Sequence, residues 1–371
     1  MLPTYQKPTV FTKRDEAPHN ATVIEAFENA LTELFFIDHP NLKKTMPEAE
    51  KPLKEFLADP QFPEIWIYYP WLNTLIHTVP EDVYLKLRTA RNRNIILESE
   101  QKNYREAHVG IAGLSVGSAV LSALAISGGP KTIKIADFDT VEITNLNRIR
   151  ATLPDIGKNK TWVAAREIWE IDPFAELSIW DTGITRDTIN DFITGTPRLD
   201  IFVDEMDSLD IKILARLICK KEGIPVVMAT DNGDSVILDV ERFDQEPNRA
   251  IFHGLVGEMR AADVENLSYK DWLQLATKIV GAEYLTERMQ DSLVEIGHAI
   301  SAVPQLGTTA AIAGSSVAYV IRRIANRQEM PSGRYQIGLE EKLIHGYTNT
   351  DEIAKRQEKT QQFIKNFGKN K

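Results

Sequence analysis

Between His108 and Asp137 the chain reads HVGIAGLSVGSAVLSALAISGGPKTIKIAD, an order of residues that few folds accept. Val109, Ile111 and Ala112 make a short apolar run of the kind a buried parallel strand shows. The run breaks at Gly113, and residues 113–118 are a tight turn of small side chains. Residues 119–126 then read as a helix that packs close to a sheet, and 132–136 as a second strand ending on Asp137. The sum is a βαβ unit whose glycine turn lies at the carboxyl end of its first strand. N–H groups at a helix start can hold a phosphate there. Asp137 stands 24 residues after Gly113, about where such a unit places the acid that takes ribose hydroxyls. Ser115 and Ser118 occupy positions where the G-x-G-x-x-G fingerprint has glycine, so the unit alone reads as dinucleotide binding with a degraded turn.

The residues after Asp137 change that reading. Asp137-Phe138-Asp139-Thr140-Val141-Glu142 runs on to Asn145-Leu146-Asn147-Arg148 and then to Gly157-Lys158-Asn159-Lys160. A dehydrogenase has no need of arginine and lysine on the loop after its second strand. An enzyme working on the phosphates of ATP does, because negative charge must be neutralised as the α-phosphate is attacked. The four spaced elements resemble the D-x-D-x-V-x-x-x-N-L-x-R and G-x-x-K signature of the ThiF/MoeB/HesA class, bacterial relatives of the ubiquitin-activating enzymes. The resemblance covers roughly residues 88–339.

That resemblance implies an α/β fold with a Rossmann-like, mostly parallel sheet flanked by helices. It implies ATP-dependent adenylation of a substrate carboxylate, the C-terminus of a peptide or ubiquitin-like protein, giving acyl-adenylate and pyrophosphate. ATP and magnesium are the implied cofactors and a homodimer the implied assembly. Carried over residue by residue, Gly113, Ser115 and Gly117 form the nucleotide turn and Asp137 takes the ribose, with Asp139 beside it. Asn145, Arg148 and Lys160 serve the phosphates. Asp204-Glu205-Met206-Asp207-Ser208 follows a buried strand at 199–203, where the class has D-x-x-D-N. Asp207 therefore takes the magnesium role, with Ser208 in place of asparagine. Arg91-Asn92-Arg93-Asn94 resembles the class's R-x-x-R-Q segment, whose arginine reaches the phosphates bound by the neighbouring subunit. Arg93 is assigned that role, with Arg91 and Arg88 as alternatives.

Two other functions stay open at this point: an NAD- or FAD-binding oxidoreductase on the same nucleotide fold, and a non-catalytic binding protein that kept the fold. A single cysteine, Cys219, leaves no internal disulfide, no pair of C-x-x-C zinc motifs and no thioester cysteine on a crossover loop; it reads as helical core. The net charge of −10 argues against a nucleic-acid substrate. No apolar stretch approaches the roughly 20 residues of a membrane helix, and the N-terminus lacks the apolar core of a signal peptide. A soluble cytoplasmic enzyme is the expectation.

The expected domain layout is an N-terminal, mainly helical extension at 1–87 and an adenylation domain at 88–260. A helical insertion at 261–300, a return helix and strand at 301–340, and a polar helical tail at 341–371 follow. Within the extension, residues 1 to about 20 read as a flexible arm and 23–37 as an amphipathic helix. The aromatic run Trp66, Tyr68, Tyr69 and Trp71 reads as a strand plus turn that anchors the extension, or as a ligand-contacting surface. His77 shows no partner in the sequence. Asp231-Asn232-Gly233-Asp234 reads as a hairpin turn. The resemblance puts residues 241–244 and 253–255 on the substrate side; a structural salt bridge around Arg242 is the alternative.

Overall fold

In the computed structural model, which describes residues 6–264 and 266–366, contacts divide the chain into two compact units. The smaller comprises the described residues up to 102 with 126–128 and 166–175; the larger comprises 103–125, 129–165 and the described residues from 176 on. Residues 1–5 of the expected arm, Glu265 of the insertion and residues 367–371 of the expected tail lie outside the described residues.

Beside its helices the smaller unit holds a four-stranded sheet, which the sequence reading did not include, in the order β1-β3-β4-β2. The strands are β1 (Thr9–Phe11), β2 (Thr22–Glu25), β3 (Ile65–Tyr69) and β4 (Thr74–Thr78). Part of the expected arm is therefore a strand: Val10 pairs with Ile67 on the open edge of β3. The expected helix at 23–37 starts later, as α1 (Phe27–Asp38), since Thr22, Val23 and Ile24 pair in parallel with β4. Three β-branched residues in a row fit a strand better than a helix. Leu31 and Leu34 of α1 then bury against Val79 and Val83, the latter in α3 (Glu81–Arg88). Each such burial contributes about 1.5–3 kcal/mol. α2 (Pro47–Ala58) completes the unit's helices before α4 (Glu98–Glu106). The aromatic run is a strand that anchors. Tyr69 donates to the Trp169 carbonyl (3.1 Å) and Trp71 to Glu170 (2.6 Å). His77 stacks on Trp66 at 4.1 Å, with Glu25 (2.6 Å) and Glu64 (2.9 Å) on its two ring nitrogens. It is a satisfied structural histidine.

The larger unit is built on seven strands in the order β11-β10-β9-β8-β5-β6-β7. β5 (His108–Ala112), β6 (Thr132–Ala136), β7 (Glu176–Trp180), β8 (Ile201–Asp204) and β9 (Val226–Asn232) are parallel. β10 (Ser235–Glu241) and β11 (Gly333–Gly338) continue the sheet antiparallel. The fold is α/β, with a mostly parallel sheet flanked by helices. Between the strands run α5 (Val116–Ile126), α6 (Lys160–Ile171), α7 (Ile189–Thr194) and α8 (Leu209–Glu222). The first crossover explains the run of small residues. A Cβ on Gly117 would stand 3.0 Å from the Ile111 side chain. In α11 (Gly307–Ala325), a Cβ on Gly314 would meet the Ala119 carbonyl at 2.5 Å. The two helices approach closely only without side chains at that point. The insertion contains α9 (Tyr269–Val280) and α10 (Glu287–Glu295), capped by Ser268 and Thr286. Leu273, Met289 and Leu293 share a cluster with Phe363 of α13 (Thr350–Asn366), which follows the short α12 (Glu340–Leu343).

Charge is also buried inside this sheet. Arg216 on α8 bonds Asp204 on β8 and, at 2.6 Å, Glu241 on β10, while Lys212 reaches Asp204 at 3.0 Å. Glu241 also accepts the Phe252 N–H at 2.6 Å, and the Arg216 guanidinium lies 3.9 Å from that residue's ring. Asp239 is held by Arg334 (3.0 Å) and by His253, and Arg242 is clamped by Asp244 at 2.7 and 2.8 Å. The salt-bridge reading of Arg242 is the one the structure realises.

Candidate active site

The carboxyl ends of parallel strands leave a row of unpaired backbone groups, and here that row collects the expected residues. Gly113 follows β5 with φ +90°, and a Cβ there would stand 2.2 Å from the Glu205 carbonyl oxygen. Only glycine lets β5 turn so close to the end of β8. The turn is fastened to β6 by Asp137, whose Oδ2 accepts the Leu114 N–H (2.7 Å) and whose Oδ1 accepts the Asp139 N–H (2.8 Å). Burial raises the Asp137 pKa above the usual carboxylate value, against the pull of Lys160 and these two N–H groups. Each oxygen keeps a free lone pair, so ribose hydroxyls can still donate to it.

The loop after β6 carries the cations. Glu142 and Asn145 cap each other, the Asn145 side chain accepting the Glu142 N–H at 3.0 Å, and this closes the turn that delivers Arg148. Arg148 Nε donates to Ser115 Oγ (2.9 Å), and Nη1 donates to the Thr144 carbonyl (3.1 Å) and to Asn147 Oδ1 (2.9 Å). Arg148 thus sits beside the glycine turn with serine, not glycine, as its anchor. Burial lowers its pKa, opposed by the charges of Asp231 and Asp207. Lys160, the first residue of α6, donates to Asp139 Oδ2 at 2.7 Å and is itself buried. The segment before α11 adds Gln305, whose carbonyl accepts from Asn147 at 2.8 Å and whose side chain meets Ser115 at 3.4 Å.

The acids lie across from Arg148. Asp207 is exposed, three positions after the last residue of β8 and just before Ser208, the N-cap of α8. Asp231, near the end of the neighbouring β9, is only 6% exposed, and neither of its carboxylate oxygens has a hydrogen-bond partner. Burial pushes its pKa up to about 6, with Arg148 pulling the other way. Glu205 accepts the Ala229 N–H (2.9 Å), and burial raises its pKa strongly. Sequence reasoning treated Asp231 only as part of a hairpin turn. The available signal was an acid at the carboxyl end of a strand that adjoins the strand leading to Asp207.

Gly113, Ser115, Gly117, Asp137, Asp139, Asn145, Arg148, Lys160 and Asp207 all belong to the larger unit, at or after the carboxyl ends of β5, β6 and β8. Arg93 belongs to the smaller unit, where it is exposed and forms no ion pair among the described residues. Arg88, the alternative finger, is tied to Asp172 at 3.0 Å. Cys219 is fully buried in the α8 core, and burial raises its thiol pKa, so it offers no nucleophile. No trio of His, Cys, Asp and Glu side chains among the described residues surrounds a metal by itself. The donors present are carboxylate oxygens, the type magnesium takes one or two of while phosphates and water complete its shell. A family model described as the ThiF family matches residues 89–361.

The chain belongs to the ThiF family.

An uncharacterized Mycobacterium tuberculosis protein is 36% identical over 73% of this chain, which corresponds to 37% of that protein's length. The tRNA threonylcarbamoyladenosine dehydratase of Haemophilus influenzae is 30% identical over 38% of this chain and 57% of its own length. The ThiF-family chain described here therefore spans only about a third to three fifths of these relatives. Among solved structures, the Escherichia coli dehydratase of the same name, in complex with ATP, is 20% identical. It covers 66% of this chain and 97% of that one, with a TM-score of 0.46. No helix among the described residues is long and apolar enough to cross a membrane.

Proposed function

We propose that this ThiF-family chain adenylates a substrate carboxylate with ATP, the C-terminus of a peptide or ubiquitin-like protein, and works as a homodimer. The observation that carries the reading is the pairing of Arg148 and Lys160 at the glycine turn, two cations beside the acid that suits ribose. A nicotinamide or flavin reader has no use for that pair. Relatives that match 31% and 39% of this chain are a probable molybdopterin-synthase adenylyltransferase of Porphyra purpurea and ubiquitin-like modifier-activating enzyme 5 of Drosophila melanogaster.

The chemistry asks for orientation and charge neutralisation. A carboxylate, with a reference pKa of about 4, is ionised near neutrality and attacks without a general base. Its oxygen bonds to the α-phosphorus, and the bond from that phosphorus to the bridging oxygen breaks, releasing pyrophosphate with the electron pair. The turn at Gly113, Ser115 and Gly117 lies under the phosphates, and Asp137 takes the ribose hydroxyls. Arg148 and Lys160 neutralise the growing phosphate charge, Lys160 turning from Asp139 to do so. Asn145 acts by holding the loop that presents Arg148. Asp207 is the side chain offered to magnesium, which when bound screens the triphosphate. Arg93 is assigned to the phosphates of the partner subunit; its exposure leaves it free to reach outwards. With Cys219 enclosed, the acyl-adenylate passes directly to an outside nucleophile or to an amine of the same substrate.

Calorimetry with ATP and with NAD tests the reading. The expected result is magnesium-dependent ATP binding with NAD weaker by far; NAD bound and ATP ignored would end the adenylation proposal. In a sedimenting dimer, Arg93→Ala should weaken ATP binding about tenfold, as loss of one charge-assisted hydrogen bond of about 1.5 kcal/mol does. A monomer, or a dimer indifferent to that change, refutes the shared site.

A further inference from the structure

Resting on the adenylation reading, we propose that Asp231 is a second carboxylate ligand of the cation that accompanies ATP, acting together with Asp207. The argument starts from what surrounds Asp231. β9 and β10 join through a two-residue turn in which Gly233 has φ +68°, and the backbone next to Asp231 is tied down on both sides. Asn232 donates to the Tyr284 carbonyl (2.8 Å) and accepts the Thr286 N–H (2.9 Å). Its own carbonyl takes the Thr286 hydroxyl (3.2 Å), and the Gly233 carbonyl takes that of Thr309 (2.6 Å). The backbone carrying Asp231 is therefore pinned from both the insertion and α11. The Asp231 carboxylate itself has no hydrogen bond, although it is nine-tenths buried.

A buried carboxylate lacking any hydrogen bond is costly and rare, and a cation is what such a group wants. The protein supplies only a distant one. Arg148 is near enough to feel both Asp231 and Asp207, yet its hydrogen bonds run to Ser115, Thr144 and Asn147. Two acids facing one guanidinium leave negative charge in excess beside the phosphate loop. β8 and β9 are adjacent and parallel, so both acids come off the same edge of the sheet. Among the described residues no third His, Cys, Asp or Glu side chain joins them, so two carboxylates alone would hold a divalent ion weakly and other ligands would complete its shell. Magnesium bound through two carboxylates and the phosphate oxygens of a nucleotide fits that shortage.

The test compares the full chain with its Asp231→Asn variant, which keeps the shape and removes the charge. Mn2+ alone, a paramagnetic stand-in for magnesium, is titrated by water-proton relaxation. The non-hydrolysable α,β-methylene ATP is then titrated by calorimetry at graded Mg2+. Asp231→Asn is expected to lower Mn2+ affinity about tenfold or more and to raise by a similar factor the Mg2+ needed to tighten analogue binding. In EDTA the variant should bind the analogue at least as well as the wild type. Equal Mn2+ affinities, or no Mn2+ binding by the wild type, overturn the assignment. If Mn2+ binding depends on Asp231 but the analogue does not bind, the adenylation reading falls and the metal site stands. If the analogue binds with an unaltered magnesium requirement, the reverse holds. A variant that melts below the wild type without ligands would show a packing role for Asp231 and also overturn the proposal.

Discussion

Asp204 and Asp231 are buried carboxylates on neighbouring strands of one sheet, and their surroundings are opposite. Asp204 is enclosed by Lys212 and Arg216, and those cations hold its pKa below the ordinary value despite complete burial. Asp231 has no hydrogen bond, and burial drives its pKa up to about 6. The first cluster is closed: two acids, Asp204 and Glu241, meet two bases inside the fold. The second is open, with its charge facing the place where ATP phosphates are proposed to lie. Burial alone does not mark a functional acid; an acid that the fold leaves unanswered does.

The largest effect should come from opening the closed cluster. Arg216→Ala strands Asp204 and Glu241 without their shared base, and is expected to cost about 3–5 kcal/mol in urea unfolding. A loss under about 1 kcal/mol would mean that water or rearrangement answers those acids, and the contrast with Asp231 would collapse.

The pH dependence of stability sharpens the contrast, because the two acids have opposite signs. A depressed carboxylate such as Asp204 stabilises the fold above its ordinary pKa of 3.8, and that contribution is lost as pH falls through the still lower folded value. A raised one such as Asp231 destabilises the ligand-free fold above about 6, and the penalty fades as pH falls from 6 towards 3.8. Metal-free Asp231→Asn should therefore be the more stable chain at about pH 8, by on the order of 3 kcal/mol, with the gap closing near pH 4. Arg148 and Glu205 face the same group, and both persist in both chains, so the difference isolates Asp231. Urea midpoints across that range give the measurement. A gap that stays constant with pH would put Asp231 in the closed class.

The smallest effect separates two lysines of one motif. Lys158 only pairs with Asp155 at 2.8 Å on the surface, whereas Lys160 is buried against Asp139. Lys158→Ala should cost under about 1 kcal/mol and leave ATP affinity unchanged. Lys160→Ala should weaken ATP binding about tenfold or more. Equal losses in the two calorimetric titrations would show that net charge, not placement at the turn, recruits the nucleotide.

The sequence alone determined whatever depends on neighbours along the chain. The strand, glycine turn and helix from His108 onward are a local pattern. So are Asp137, Arg148 and Lys160, which fall within 24 consecutive residues that end at the first residue of α6. Family membership followed from the same stretch. Tertiary structure decided which charges are answered. Asp204 finds Arg216 on the following helix and is linked through it to Glu241, while Asp231 in the next strand finds no hydrogen-bond partner, and no spacing announces that difference. It also decided that Val23 and Ile24 join a sheet, since the partner strand β4 lies some fifty residues away in sequence. His77 likewise gained its acids only through that sheet. Hydrophobic period and turn chemistry act over a few residues. Desolvation and pairing act on whatever the folded chain brings within a few ångströms, which the order of residues does not state.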